Sequence, residues 1–189
     1  EFLLGGQNPA QGGSIEGFSF SNNQLVGCTP SKTFPIVEVS PIAPFVPNPS
    51  TAHAVRIDNN SITACGSTNP AGCPGIYVDL SAWTVVGETS ISRNTISTGD
   101  PALHITNAID LTLPPSYNVS CSSNQINNPQ NAAIRVHAGT LRNLAVDDNS
   151  IRMLDGGLYG IFVKLDESPG NPVVQNTSIS RNTIHDGPV

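Results

Sequence analysis

Residues 89–96 read Thr-Ser-Ile-Ser-Arg-Asn-Thr-Ile, and residues 177–184 repeat these eight letters without a change. The same order also occurs at 18–25, 55–62, 119–126 and 144–151: an apolar residue (threonine at 89 and 177), any residue, an apolar residue, two residues, asparagine, any residue and an apolar residue. Successive asparagines of this motif are 25 to 37 residues apart. A fixed motif at such intervals is typical of a solenoid, in which loops of variable length join like units.

A second recurring strand lies between the asparagine motifs. Its apolar residues alternate with other residues at the period of two that indicates a β-strand. The copies lie at 36–39, 76–79, 103–106, 134–137 and 161–164. Because no long helical pattern separates these short strands, we exclude β-α-β units. The sequence therefore predicts an all-β solenoid in which like strands of successive coils stack in parallel.

The asparagine of the motif is predicted to form a ladder at one bend of each coil. Like residues of neighbouring coils lie about 4.8 Å apart, so each amide can donate to one coil and accept from another. The predicted ladder consists of Asn23, Asn60, Asn94, Asn124, Asn149 and Asn182. Two apolar columns should face the core beside it: Phe20, Ile57, Ile91, Cys121, Val146 and Ile179 in one, and Leu25, Ile62, Ile96, Ile126, Ile151 and Ile184 in the other.

The repeat Ser-Ile-Ser-Arg-Asn-Thr-Ile, followed by strands of the type Gly-Ile-x-Val, resembles the pectate-lyase-like right-handed β-helix superfamily over nearly the whole chain. The resemblance implies three short sheets: the segment before each asparagine forms the second, the segment after it the third, and the Ile-Tyr-Val-Asp type the first. It also implies that any substrate lies along the outside of the first sheet. We therefore predict one domain over residues 1–189, a single-stranded right-handed parallel β-helix of about six coils.

Both ends of the chain break off within the repeat, so we expect a segment of a longer protein. Uncapped coil ends expose strand edges and core residues, which favours end-to-end or homo-oligomer contacts. The net charge of −6 and the scattered distribution of the eight Lys and Arg residues exclude a nucleic-acid-binding stripe. No apolar run is long enough for a membrane span.

The four cysteines favour an oxidising compartment and hence an extracellular location or a cell or virion surface. Cys121 stands in a core column and is expected to be a buried thiol. The remaining three leave two pairings open, Cys28 with Cys65 or Cys65 with Cys73, and we favour the second. Glycosylation sequons occur at Asn59, Asn118 and Asn176, and matter only in a eukaryotic secreted host.

The outward residues of the predicted first sheet are chemically rich. They form two columns: Glu38, Tyr77, His104, Arg135 and Phe162 in one, and Ser40, Asp79, Thr106, His137 and Lys164 in the other. Aromatic rings can stack on pyranose faces while charged groups bind hydroxyls or carboxylates. The predicted polysaccharide-binding residues are Glu38, Tyr77, Asp79, His104, Arg135, His137, Phe162 and Lys164. The alternative is a solvated β-face whose unlike charges pair between coils.

The sequence does not decide whether the chain is an enzyme. A lyase would need a Ca²⁺ site built from several acids, and only Asp79 and Asp100 are candidates beside Arg135. We therefore predict no cofactor, except Ca²⁺ if the chain is a lyase. An inverting glycosidase needs two carboxylates about 6.5–9.5 Å apart, for which Glu38 and Asp79 are the candidates. The galacturonase signatures Asn-Thr-Asp, Gly-His-Gly and Arg-Ile-Lys do not occur.

The leading hypothesis is a surface or secreted module that binds an extended polysaccharide along one sheet. If the module also cleaves the polysaccharide, it does so as part of a larger lyase or depolymerase. The alternative is a structural or adhesive spike segment without catalytic activity, in which the same face is a solvated surface or an oligomer contact.

Overall fold

The computed structural model describes residues 2–4, 14–15, 17–30, 34–40, 50–100, 102–114, 117–153, 157–165 and 173–186. Within these ranges the chain forms β-strands, joined by turns and bends. None of these residues belongs to a helix with the length and apolar character that crossing a membrane requires. The described part is therefore an all-β structure.

Three sheets of six parallel strands account for most of this structure. The first sheet contains, in spatial order, Phe2–Leu4, Val37–Val39, Ile76–Asp79, Asn107–Leu113, Ala132–Ala138 and Tyr159–Leu165. The second contains Phe18–Ser21, Val55–Asp58, Thr89–Ser92, Val119–Ser122, Leu144–Asp147 and Ser178–Ser180. The third contains Gln24–Val26, Ser61–Thr63, Thr95–Ser97, Gln125–Asn127, Ser150–Met153 and Thr183–Asp186. The chain passes through the three sheets in this order six times, and each passage is here called a coil.

Two smaller parallel sheets lie in the connections from the first sheet to the second. One contains Ser14–Ile15, Ser50–Ala52 and Trp83–Val85, and the other contains Leu141–Arg142 and Val174–Gln175. All pairings between named strands are parallel and join neighbouring coils. This arrangement agrees with the predicted stacking of like strands.

The predicted asparagine ladder is confirmed between the second and third sheets. Each ladder Nδ2 donates to the Oδ1 of the next coil's asparagine over 2.9–3.0 Å, in all five steps from Asn23 to Asn182. The same Oδ1 also accepts the backbone N–H of the preceding ladder asparagine at 3.0–3.1 Å. From Asn60 onward, Nδ2 further donates to a second-sheet carbonyl of the preceding coil. The ladder thus satisfies backbone groups that the bend leaves outside the sheets.

The bend itself depends on the residue before each ladder asparagine. This residue has a left-handed backbone, with φ between 52° and 60°, in all six coils. The six residues are Asn22, Asn59, Arg93, Ser123, Asp148 and Arg181. Asparagine and aspartate tolerate this region better than most residues, but arginine and serine do not share that preference. The left-handed backbone of these residues is therefore set by the repeated bend more than by the intrinsic preference of each residue.

The two predicted core columns are confirmed by the strand register. Phe20, Ile57, Ile91, Cys121, Val146 and Ile179 are successive partners in the second sheet, and Leu25, Ile62, Ile96, Ile126, Ile151 and Ile184 in the third. The members in coils 2 to 5 are fully buried. Ile179 and Ile184, in the sixth coil, are 48% and 49% exposed. The core is thus continuous through coils 2 to 5, and its apolar residues become half exposed at the last described coil.

The prediction that residues 103–106 form a first-sheet strand is wrong. The strand of that coil is Asn107–Leu113, in which Ile109 and Leu111 pair with the core residues Ile76 and Val78. Both stretches alternate, but 107–113 places Ile109, Leu111 and Leu113 inward and pairs with strands on both sides. The longer apolar run buries more surface, so it takes the place in the sheet.

Candidate functional site

The outward face of the first sheet carries the residues that the sequence predicts as a binding site. The strand register aligns Glu38, Tyr77, Asp110, Arg135 and Phe162 in one column. A second column contains Asp79, Thr112, His137 and Lys164. These two columns are here called the outer strip. It brings together seven of the eight predicted residues, and it adds Asp110 and Thr112, which the sequence analysis did not single out.

His104, the eighth predicted residue, does not lie on the outer strip. It forms an isolated antiparallel bridge with Ser67, and their backbones exchange two hydrogen bonds of 2.9 and 3.0 Å. Its ring Nδ1 lies 2.6 Å from Nε2 of Gln130. Thr106, predicted in the same column pair, instead donates its N–H to the carbonyl of Cys73 at 2.9 Å. The predicted placement of His104 and Thr106 is therefore wrong, because Asp110 and Thr112 take their positions in the register.

The end of the outer strip in coils 2 and 3 is acidic. Glu38 Oε1 accepts a hydrogen bond of 2.6 Å from Ser40 Oγ. Asp79 Oδ1 accepts from the backbone N–H and the Oγ of Ser81 at 2.9 and 2.6 Å, while its Oδ2 accepts from Tyr77 Oη at 3.3 Å. Burial and the neighbouring charge of Asp79 raise the pKa of Tyr77 above its ordinary value. Tyr77 is thus a half-buried ring whose hydroxyl stays protonated at neutral pH.

The centre of the outer strip is an ion pair between coils 4 and 5. Arg135 Nε lies 2.9 Å from Asp110 Oδ1, although the N–H is not aligned for a hydrogen bond. Asp110 Oδ2 accepts from Asn107 Nδ2 at 2.9 Å, and Asn131 Nδ2 supports Asn107 Oδ1 at 3.0 Å. Asp110 is 3% exposed. Burial raises the pKa of the Asp110 carboxyl even though Arg135 and Asn107 act to lower it.

The ion pair changes the role that the sequence suggested for Arg135. Its charge faces a buried carboxylate rather than open solvent alone, and about 35% of its side chain is exposed. Asp110 could have been found from the inward positions Ile109, Leu111 and Leu113, which place residue 110 outward. With the strand of this coil predicted at 103–106, residue 110 falls outside the predicted sheet, so Asp110 was not among the predicted site residues.

The opposite end of the outer strip, in coils 5 and 6, combines rings with cationic or titratable side chains. The rings of Tyr159 and Phe162 pack with centroids 4.8 Å apart and a tilt of 30°. Tyr159 is 45% exposed, Phe162 is half-buried and Lys164 is exposed. Lys164 pairs in register with His137, which is half-buried. This end offers an apolar aromatic surface beside a positive charge.

The acids that the sequence suggests for a Ca²⁺ site are Asp79 and Asp100. In the described ranges, no three His, Cys, Asp or Glu side chains lie close enough to hold a metal ion. Asp100 lines a groove of about 400 Å³ with Ser97, Asn127 and Arg152, after the third-sheet strand. The described residues therefore do not fit the Ca²⁺ nest that a lyase would need.

Each carboxylate of the outer strip has a hydrogen-bond or ion-pair partner. Glu38 is bonded to Ser40, Asp79 to Tyr77, and Asp110 is paired with Arg135. Glu38 and Asp79 stand two residues apart along adjacent strands, because Glu38 pairs with Tyr77. Strand spacings of about 4.8 Å across and about 6.6 Å along the sheet separate their Cα atoms by about 8 Å. Their backbone positions are compatible with the carboxylate separation of an inverting glycosidase.

The outward face of the second sheet is chemically poorer. An open groove of about 590 Å³ runs there past Glu88, Asn118, Ser120, Asn143 and Asn176. The three sequon asparagines, Asn59, Asn118 and Asn176, are all exposed. Asn176 Nδ2 donates to Asn143 Oδ1 at 2.9 Å. Amides and small hydroxyls dominate this face.

The four cysteines are free thiols in the structure. Cys121 is fully buried in its core column, as predicted, and burial raises its pKa to about 12. Neither of the two predicted pairings of Cys65 is formed. Cys65 and Cys73 are fully buried, and Cys28 is half-buried beside them.

Comparison with protein-family models, curated proteins and solved structures gives no match for this chain. The resemblance of the repeat to the pectate-lyase-like superfamily therefore stays a prediction, and the established result is an all-β structure with three parallel sheets and an asparagine ladder.

Proposed function

We propose that the chain is a single-stranded, right-handed parallel β-helix of the pectate-lyase-like kind, and that its outer strip binds an extended polysaccharide. Six passages through three parallel sheets, with one ladder at one bend, support the solenoid. The handedness follows from the resemblance of the repeat. The proposed location is outside the cell or on a cell or virion surface.

The observation that carries the binding proposal is the outer strip itself. Five successive coils place two aromatic side chains, carboxylates and cations on one face, in strict register. Four strand spacings of about 4.8 Å give the strip a length of about 19 Å. That length suits several consecutive sugar units of an extended chain.

The two ends of the outer strip suit different contacts. Tyr77 at one end and the Tyr159–Phe162 pair at the other offer ring faces for pyranose stacking. Asp79 can accept from sugar hydroxyls, and Lys164 can donate to a hydroxyl or a carboxylate. The central Asp110–Arg135 ion pair lies on the sheet surface between these two ends. A bound sugar chain would therefore cross this ion pair.

A second candidate function is a structural or adhesive spike segment with no substrate. The Asp110–Arg135 pair favours it, because unlike charges that pair between coils also stabilise a plain solvated sheet. In this alternative, half-exposed core residues such as Ile179 and Ile184 are covered by contact with another copy.

Glycan-array binding separates the two candidates. The variants Tyr77→Ala, Phe162→Ala and Lys164→Ala remove strip contacts, while Arg56→Ala and Arg152→Ala remove exposed cations from the second and third sheets. We expect each strip variant to weaken binding about tenfold or more, since anchor residues carry most of the binding energy. The two control variants should bind like the parent protein.

Arg135→Ala is left out of this set because it would leave the buried Asp110 carboxyl unpaired and confuse binding with folding. The carbohydrate proposal fails if the parent protein binds no glycan, or if strip and control variants lose binding equally.

A further inference from the structure

Three thiols meet where the third sheet turns back toward the first. Cys28 and Cys65 each lie five residues after their ladder asparagine, in the first and second coils. Cys73 precedes the first-sheet strand Ile76–Asp79. All three pack into or against one apolar cluster of the core. Neither the ladder nor the outer strip uses these sulfur atoms.

The backbone holds Cys28 and Cys65 at the spacing of paired strands. Val26 pairs with Thr63, and the hydrogen bonds Gly27 N–H to Thr63 O at 3.2 Å and Gly66 N–H to Cys28 O at 2.9 Å continue the pairing past both cysteines. Paired strands are about 4.8 Å apart, which lies within the Cα separation of about 4.4–6.8 Å that a disulfide requires.

The side chain of Cys65 already contacts the backbone of Cys28. Cys65 Sγ accepts the backbone N–H of Cys28 at 3.2 Å. Cys65 also lies 3.4 Å from the carbonyl oxygen of Leu25, in the same first coil as Cys28. Cys65 Sγ also lies 3.3 Å from the carbonyl oxygen of Thr63 in its own coil, so the sulfur lies at the boundary between the first and second coils.

Cys73 is tied to a different neighbour. It forms an isolated parallel bridge with Ile105, and its Sγ lies 3.8 Å from the carbonyl oxygen of His104. Its loop, which holds Gly72 with φ of 68°, packs on Thr106. These contacts tie Cys73 to the connection between the third and fourth coils.

We propose that Cys28 and Cys65 form an inter-coil disulfide by exchange with a low-molecular-weight disulfide such as oxidised glutathione, and that Cys73 stays a thiol. This pairing replaces the Cys65–Cys73 pairing favoured from the sequence. The bridge links residues 37 apart and ties the first coil to the second.

The reaction is balanced by two exchange steps. The half-buried Cys28 thiolate attacks one sulfur of oxidised glutathione and releases one glutathione thiolate. Cys65 then loses its proton to solvent and attacks the Cys28 sulfur of the mixed disulfide, releasing the second glutathione. One protein disulfide and two glutathione thiols are formed from two protein thiols and one glutathione disulfide.

The second step is expected to be slow and to depend on pH. Burial, together with the hydrogen bond to Cys28, raises the pKa of Cys65 to about 12. Only the thiolate attacks, so the thiolate fraction of Cys65, and the rate of closure, should rise about tenfold per pH unit between pH 7 and 9.

Peptide mapping of the full chain tests the pairing. The protein is incubated with oxidised glutathione, remaining thiols are alkylated, and tryptic peptides are analysed by mass spectrometry without reduction. Cys28 falls in peptide 1–32, whereas Cys65 and Cys73 share peptide 57–93. We expect these two peptides to be cross-linked in the parent, with Cys73 alkylated, and cross-linked without any alkylated cysteine in Cys73→Ser.

The matched variants are Cys28→Ser and Cys65→Ser, which should both abolish the cross-link, and Cys121→Ala, which removes a distant buried thiol and should leave it intact. The proposal is overturned if peptide 57–93 instead closes an internal loop, if Cys73→Ser abolishes the cross-link, or if only glutathione adducts form. Glycan binding plays no part in this test, so its outcome is independent of the proposed function.

Discussion

The asparagine ladder and the outer strip are built on the same coils but obey opposite rules. At the ladder, every coil supplies the same amide, coils 2 to 5 give it the same kinds of partner, and the distances between successive amides vary only from 2.9 to 3.0 Å. On the outer strip, the aligned positions hold Glu38, Tyr77, Asp110, Arg135 and Phe162, and no two are alike. The repeated ladder residues stabilise the fold, whereas the outer-strip residues differ from coil to coil and can contact a ligand.

Removing one ladder amide from the centre should have the largest effect on stability. Asn124→Ala leaves the Ile91 carbonyl and the Asn94 N–H without their partners in a buried bend. Each buried group left unpaired costs about 1–3 kcal/mol, so we expect a loss of about 3–6 kcal/mol with the lost contacts included. Urea unfolding monitored by circular dichroism measures it.

Asn127→Ala, three residues away on the outward side of the third sheet, is the matched control and should stay within about 0.5 kcal/mol of the parent. Equal losses for the two variants would show that the ladder is not what stabilises the bend.

Truncating a core residue of the repeat should cost more than truncating a larger ring of the outer strip. Ile96 is fully buried in its column, so Ile96→Ala should lose about 2–5 kcal/mol. Ile184→Ala, in the same column but 49% exposed, and Phe162→Ala should each cost less than half as much. A Phe162→Ala loss as large as that of Ile96→Ala would mean that the strip belongs to the core. Thermal and urea unfolding of the three variants provide the measurement.

Removing Arg135 should lower the free energy of unfolding more than removing the charge of Asp110. Arg135→Ala leaves a buried carboxyl without its cation and should lose about 3 kcal/mol, the lower end of the range for buried pairs, because Arg135 is partly exposed. Asp110→Asn keeps an acceptor for Asn107 and releases Arg135 to water, so it should cost about 1 kcal/mol or less. Equal unfolding free energies for the two variants at pH 7 would contradict this account of the pair.

The same pair should give a pH dependence with a defined sign. Burial raises the pKa of Asp110 above its ordinary value of 3.8, so its protonated form is favoured in the folded state. Its contribution to stability is complete below the unfolded pKa and is lost as the pH rises through the raised folded pKa.

The unfolding free energy of the parent relative to Asp110→Asn should therefore fall as the pH increases above about 4, by at most about 1.4 kcal/mol per pH unit, and then level off. Urea unfolding of both proteins between pH 3 and 8 checks the direction. A difference that rises with pH would mean that Arg135 outweighs burial.

The repeating part of the fold could be predicted from the sequence because every coil contains the same motif. The ladder, both core columns and the buried thiol of Cys121 follow from one motif read six times. The left-handed residue before each asparagine was not predicted, since Arg93 and Ser123 carry no local signal for that conformation. Tertiary hydrogen bonding sets their backbone.

The outer strip was predicted less well because it depends on register. Two adjacent stretches, 103–106 and 107–113, both alternate, and only pairing with strands on both sides decides between them. That choice moved His104 and Thr106 off the strip and placed Asp110 opposite Tyr77 and Arg135. An error in one coil thus changed the charge pattern of the whole candidate site.

The most direct test of the proposed binding face is an NMR titration of the protein with an oligosaccharide that binds it on the array. Backbone amide shifts report contact on every strand, so the three sheet faces are compared within one experiment. We predict the largest changes at Tyr77, Asp79, Thr112, Phe162 and Lys164 on the outer strip. Changes concentrated on the second-sheet residues Ser90 and Ser120, or on Thr95 of the third sheet, would contradict it.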